Sequence, residues 1–152
     1  MSELLDDSAL ANLERQIDEW LGHIHDHNQS IEAIDRGEDD EIRWYVRMAG
    51  DEKEFITVWL TLGQRTLRYE TYVMPAPEEN AEELFESLLR RNEKLVGAHF
   101  SIGDEDAVFL RGEIFLSNVT ELEIDRIIGT LYATVEQSFQ PLIRIGFSSR
   151  FA

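Results

Sequence analysis

Cysteine is absent from the 152 residues. That excludes disulfides, thiolate nucleophiles and cysteine metal sites, and it fits a cytoplasmic setting. Positive charge is scarce, with 14 Lys and Arg against 31 Asp and Glu and a formal net charge of -17. A chain of this sign repels nucleic acid and anionic membrane at long range, so neither is expected as a partner. The candidates for a local basic patch are Arg65, Arg68, Arg90, Arg91 and Lys94. No apolar run approaches the length that crosses a bilayer, and the first residues, MSELLDD, place acid where a secretory leader carries base. Proline is rare, at three positions, and glycine numbers nine. No G-x-S-x-G elbow, P-loop or dinucleotide fingerprint occurs, and Gly97, Gly103 and Gly112 lie in or beside strands rather than in a phosphate nest.

What is present is organised around residues 55–92. Phe55 to Leu62 (FITVWLTL) places Ile56, Val58, Leu60 and Leu62 on one face of a strand and Phe55, Thr57, Trp59 and Thr61 on the other. Gly63-Gln64 turns the chain into a second strand over 65–73, too close for a crossover helix, so the two form an antiparallel hairpin. Met74-Pro75-Ala76-Pro77 stops the sheet. Ala81, Leu84, Phe85, Leu88 and Leu89 then repeat at helical spacing, and this helix starts at Pro77 or at Asn80, with Glu83 in capping-box position.

Upstream, Leu10, Leu13, Ile17, Leu21 and Ile24 predict an amphipathic helix over about 8–22, behind a frayed acidic segment, residues 1–7. Gly22 ends it, or it continues toward Gly37; a short strand near 29–34 is the other reading. Ile42 to Met48 alternates as a strand. Downstream, residues 97–102 and 107–113 form a second hairpin about Gly103-Asp104-Glu105-Asp106. Thr120, with Glu123 three residues on, starts a last helix striped by Ile124, Ile127, Ile128, Leu131, Val135 and Phe139, and Pro141 ends it or bends the chain beyond. The expected architecture is one α+β domain over residues 1–152, in the order α-β-β-β-α-β-β-α, with a mainly antiparallel five-stranded sheet covered on one face by helices.

Such a sheet leaves Tyr45, Trp59 and Tyr72 on an uncovered face, and an apolar face without an internal cover calls for a partner. Tyr45, Trp59, Tyr72 and Phe109 are therefore the candidate partner-binding residues, weighed against ordinary sheet packing. His23, His25 and His27 are weak metal candidates: imidazoles ligate zinc, His23 and His27 share a helix face, His25 points elsewhere, and no fourth ligand is fixed. Surface histidines at a helix end are the plainer account, and His99 reads as structural. Asp104 to Asp106 lacks the staggered ligands of a calcium loop. Among so many carboxylates acid pairs arise by chance, so no catalytic residue and no cofactor is assigned, and the chain is read as non-enzymatic.

At VWLTLGQRTLRYETYVMPAPEEN, LLRRN, GAHFSIGDEDAVFLRGE and QPLIRIGF the chain resembles the YbjN family, in particular the actinobacterial proteins described as putative sensory transduction regulators. The resemblance covers roughly 42–147 and is most specific at TYVMPAPEEN and LLRRN. It implies the fold of the type III secretion chaperones, with the same element order and a tendency to homodimerise. No functional residues carry over with it. The function expected is a non-enzymatic chaperone-like or regulatory protein-interaction module, a homodimer that also takes another protein or an extended peptide. The alternative is a small-molecule or metal-sensing regulatory domain.

Overall fold

The structure, a computed structural model, describes residues 5–151. Helix α1 (Asp7–His27) leads into strands β1 (Ile31–Arg36), β2 (Ile42–Ala49), β3 (Phe55–Leu62) and β4 (Thr66–Met74). Helix α2 (Ala81–Asn92), strands β5 (His99–Ile102) and β6 (Val108–Phe115) and helix α3 (Glu121–Gly146) follow. The strands form one antiparallel sheet in the order β1-β2-β3-β4-β6-β5. It is six-stranded, not five-stranded. The extra strand is β1, the 29–34 alternative. The helix stops where Asn28 becomes extended and its side chain accepts from the Ser30 N–H, and Ile31 is buried opposite Met48.

Period-2 patterning decides the core. Trp44, Val46 and Met48 of β2, Ile56, Val58 and Leu60 of β3, and Leu67, Tyr69 and Val73 of β4 all face the helices, each at most 3% exposed. The helices supply Ile17 and Leu21 of α1, Leu84 of α2 and Ile124, Ile128, Leu131 and Val135 of α3. Trp44 can be buried because its indole N–H donates to Asp18 of α1 at 2.7 Å, and Arg36 stacks on its ring while pairing with Glu14 and Asp18.

Local signals were followed where packing agreed with them. Helix α1 passes Gly22, where an added Cβ would meet nothing within 4 Å, because burial of Ile24 extends the apolar stripe. The fraying expected over residues 1–7 lies outside the described residues at 1–4. Asp6 caps α1, accepting from the Ala9 N–H at 2.8 Å, and Leu5 packs against the core. Asn80 precedes α2 in left-handed conformation (φ 56°) and makes no capping box with Glu83. Thr120 caps α3 as expected, accepting from the Glu123 N–H. Pro141 lies inside α3 instead of ending it: Leu142 beyond it is fully buried, and the helix closes only at Gly146.

Candidate functional site

All three helices pack on one face of the sheet, so the other face is formed by strand residues with loop residues at its margins. Strand registry arranges it in rows. Tyr45, Trp59, Glu70, Arg111 and His99 lie side by side across β2, β3, β4, β6 and β5. A parallel row holds Arg43, Thr61, Arg68 and Glu113. Beyond Trp59 on the other side come Arg47 and Thr57, then Tyr72 and Phe109. Alternation within β-rich runs produces this face, and antiparallel pairing of neighbouring strands brings its aromatics together.

The four aromatics chosen from the sequence fall into two edge-to-face pairs. Tyr45 meets Trp59 with ring centroids 5.8 Å apart, and Tyr72 meets Phe109 at 5.7 Å. Arg43 lies over Trp59 at 5.6 Å and Arg111 over Phe109 at 4.3 Å. Tyr45 and Trp59 are half-buried and Tyr72 is 38% exposed, whereas Phe109 is only 7% exposed. Phe109 is roofed by the Arg111 guanidinium and packed so closely on Gly103 that a Cβ there would sit 2.6 Å from its ring. Phe55 and Phe115, at 51% and 53% exposed, are further large apolar groups on this face. Each shares the alternation of a chosen residue, Phe55 with Trp59 and Phe115 with Phe109, and that was the signal available in the sequence.

The charges on the open face are matched. Arg47 pairs with Asp35 at 2.8 Å, Arg111 with Glu70 at 3.1 Å, and Glu41 serves both Arg43 and Arg68. Glu113 sits opposite Arg68 and accepts from the Thr66 hydroxyl. The acidic excess of a chain of net charge -17 therefore resides elsewhere. Near the short edge strand, Arg68, Glu70, His99, Arg111 and Gly112 line an open recess of about 410 Å³. At the far end Lys53 reaches over Tyr72, and burial pulls its ammonium below the ordinary lysine range. Burial, with Glu105 nearby, pushes the Tyr72 phenol up.

The histidines separate as their spacing requires. His23 and His27 meet at the end of α1, and His25 faces the side of Arg36 and Trp44. Among the described residues no group of three or more ligating side chains is placed to hold a metal ion.

The most distinctive sequence segments hold the scaffold together. In MPAPEEN, the Glu78 and Glu79 N–H groups donate to the Gly146 carbonyl at 2.9 and 3.1 Å, and the Asn80 side chain donates to the Ile145 carbonyl. These bonds satisfy the carbonyls that a helix C-terminus leaves open. Glu78 clasps Arg150 through two bonds, and Glu79 accepts from Ser148 and Ser149 beyond the helix end. The QPLIRIGF and MPAPEEN segments are thus two halves of one clamp. Asn92, the last residue of LLRRN, accepts from the Phe100 N–H at 2.6 Å and donates to the Phe100 carbonyl at 3.1 Å, so its amide acts as a one-residue strand on the edge of β5. Glu136 of α3 accepts from the N–H groups of Asp51 and Glu52 and so fixes the β2–β3 turn.

Known proteins share this architecture. The chain superposes on the crystal structure of the ExsC–ExsE complex with a TM-score of 0.61 at 19% identity, covering 88% of this chain and 95% of that one. It superposes on the heterodimeric ExoU–SpcU complex from the type III secretion system of Pseudomonas aeruginosa with a TM-score of 0.54 at 14% identity, covering 83% and 96%. At these identities the likeness shows the fold, that of type III secretion chaperone complexes. In sequence, it is 34% identical over 104 residues to an uncharacterised protein of Mycobacterium tuberculosis, which is 68% of this chain and 57% of that protein. It is 30% identical over 111 residues to one of Mycobacterium leprae, covering 73% and 60%. The chain thus spans about 57–60% of the length of the mycobacterial relatives it matches. The family model described as "YbjN: Putative bacterial sensory transduction regulator" matches residues 16–144, and the chain belongs to the YbjN family.

Proposed function

We propose that this domain is a non-enzymatic protein-interaction module of chaperone-like or adaptor type, acting in the cytoplasm, and that its open sheet face receives an extended segment of another protein. The observation that carries the reading is the uncovered face itself: two aromatic pairs with half-buried Tyr45 and Trp59, exposed Phe55, Phe115 and Tyr72, and charges that cancel. Aromatics embedded among paired charges supply anchoring area, and pairing of the charges on this face spares an incoming chain close contact with unmatched carboxylates. Both fold neighbours were solved as complexes with a second, different protein, which favours a heterologous segment over a second copy. Homodimerisation is a separate part of the proposal, with its own readout in solution mass. No helix among the described residues is long and apolar enough to cross a membrane.

Two measurements on wild type and on the Trp59→Ala/Tyr72→Ala double variant test this. The first selects binders from a phage-displayed library of 16-residue peptides. The second follows solution mass by light scattering over a range of concentrations. Peptides that bind the wild type and lose about tenfold or more in affinity on the folded double variant support the proposal. No selectable peptide, or peptides indifferent to both substitutions, overturn the docking site. A wild-type dimer that the double variant converts to monomer assigns the face to a second copy and overturns the heterologous segment. A concentration-stable dimer unaffected by the substitutions supports homodimerisation through another surface, and a monomer at every concentration overturns it.

A further inference from the structure

We propose that His23 and His27 form a two-imidazole site for a late first-row divalent cation such as Ni²⁺ or Zn²⁺, in the recess between the end of α1 and the start of α3. The two residues are one helical turn apart, so their side chains project from the same face. Their ring centroids lie 4.8 Å apart. Metal–nitrogen bonds of about 2.0–2.1 Å at tetrahedral or right angles put the centroids of two imidazoles on one ion roughly 4.5–5 Å apart, so the observed ring separation matches that of two rings sharing one ion.

The hydrogen bonds fix the tautomers. His23 Nδ1 lies 3.0 Å from a Glu121 carboxylate oxygen, and His27 Nδ1 lies 2.9 Å from the His23 carbonyl oxygen. Both partners only accept, so in the neutral ring each Nδ1 carries the proton and each Nε2 keeps its lone pair. A carboxylate or carbonyl on one imidazole nitrogen is the arrangement that orients histidine ligands and raises their basicity in metal sites. Here it is supplied to both rings, to one of them from a different helix. Glu121 and Asp125 line the same recess, of about 560 Å³, and the net charge of -17 draws cations toward the protein. With two protein nitrogens, the rest of the coordination sphere is water. The site therefore suits a reversibly bound ion with affinity for imidazole, not a closed structural zinc. His25, on another side of the helix, takes no part.

The test is calorimetric titration of the untagged full chain with Ni²⁺ and with Zn²⁺ near neutral pH, with Mg²⁺ as the control for carboxylate binding. The expected result is one ion per chain in the wild type and in His25→Ala. His23→Ala and His27→Ala should bind more than tenfold more weakly. Glu121→Gln, which loosens the orientation of His23 and removes one carboxylate from the recess, should bind about tenfold more weakly. Circular dichroism of each variant keeps loss of binding distinct from loss of fold, and a metal-dependent rise in wild-type Tm that vanishes in His27→Ala is a second readout. Absence of one-to-one binding in the wild type overturns the site. So does full binding by the His23→Ala/His27→Ala double variant, or an equal loss in His25→Ala.

Discussion

Replacing Asn92 by alanine removes both hydrogen bonds that its amide makes to Phe100, at 2.6 Å to the N–H and 3.1 Å to the carbonyl. Phe100 is 5% exposed, on the four-residue edge strand β5, and its backbone then loses its outer partner. Leaving such groups unsatisfied costs about 1–3 kcal/mol each when water cannot reach them, and less where it can. Partial access at a sheet edge brings the expected total to about 2–3 kcal/mol. For a domain of this length that corresponds to a Tm lowered by about 4–12 °C. Urea unfolding followed by tryptophan fluorescence reads the loss as a lower midpoint at unchanged slope. Hydrogen exchange locates it: the Phe100 amide should exchange far faster in Asn92→Ala. Asn92→Asp keeps the acceptor for that amide, so exchange stays slow, but it sets a carboxylate oxygen against the Phe100 carbonyl and is no more stable than alanine. A midpoint shift below about 0.5 kcal/mol in Asn92→Ala, with Phe100 exchange unchanged, would refute the view that this side chain completes the strand.

Two further perturbations test the scaffold. The Ser149 N–H and the serine hydroxyls hold the Glu79 carboxyl below the ordinary carboxylate range. Its contribution to stability is therefore complete above the unfolded-state value and is lost as pH falls through the folded one. Glu79→Gln should flatten the acid limb of a plot of urea midpoint against pH between 7 and 3, and an acid limb identical to wild type would count against the clamp. At Gly112 an added Cβ would sit 2.4 Å from the Gly97 carbonyl oxygen and 2.5 Å from the Tyr69 ring. Gly112→Ala should cost about 1–3 kcal/mol by overpacking, read by chemical denaturation, and a neutral substitution would mean that the 95–98 segment yields freely.

Much of the fold was legible because it is written in short-range periodicity. FITVWLTL and TLRYETYV alternate cleanly, and the two faces they predict are the two faces of the sheet. The apolar stripes of α1 and α3 face the core as their spacing requires. Strand β1 was ambiguous because Ile31 and Ile34 satisfy helical spacing as well as a short strand, and only pairing with β2 decides between them. Asn80, not Pro77, marks the start of α2 as one of the two readings had it, but the capping box is not made, since the Asn80 amide is engaged with the end of α3. Pro141 likewise broke no helix, because burial of Leu142 and the clamp on Gly146 outweigh the missing N–H.

By itself the sequence determined the acidity, the absence of thiol chemistry, the α+β class, the membership of the core and the alternation that puts Tyr45, Trp59 and Tyr72 on one side. These depend on composition and on residues a few positions apart. Only the tertiary structure decided that Phe109 is covered while Phe55 and Phe115 are open, because exposure depends on neighbours from other strands and on the reach of Arg111. It alone joined MPAPEEN to the C-terminus of α3 and Asn92 to β5, and brought Glu121 to the His23 ring from 98 residues away. Apart from the Asn92 contact, which spans eight residues, those contacts are long-range, and no local pattern encodes which partner a polar side chain will meet.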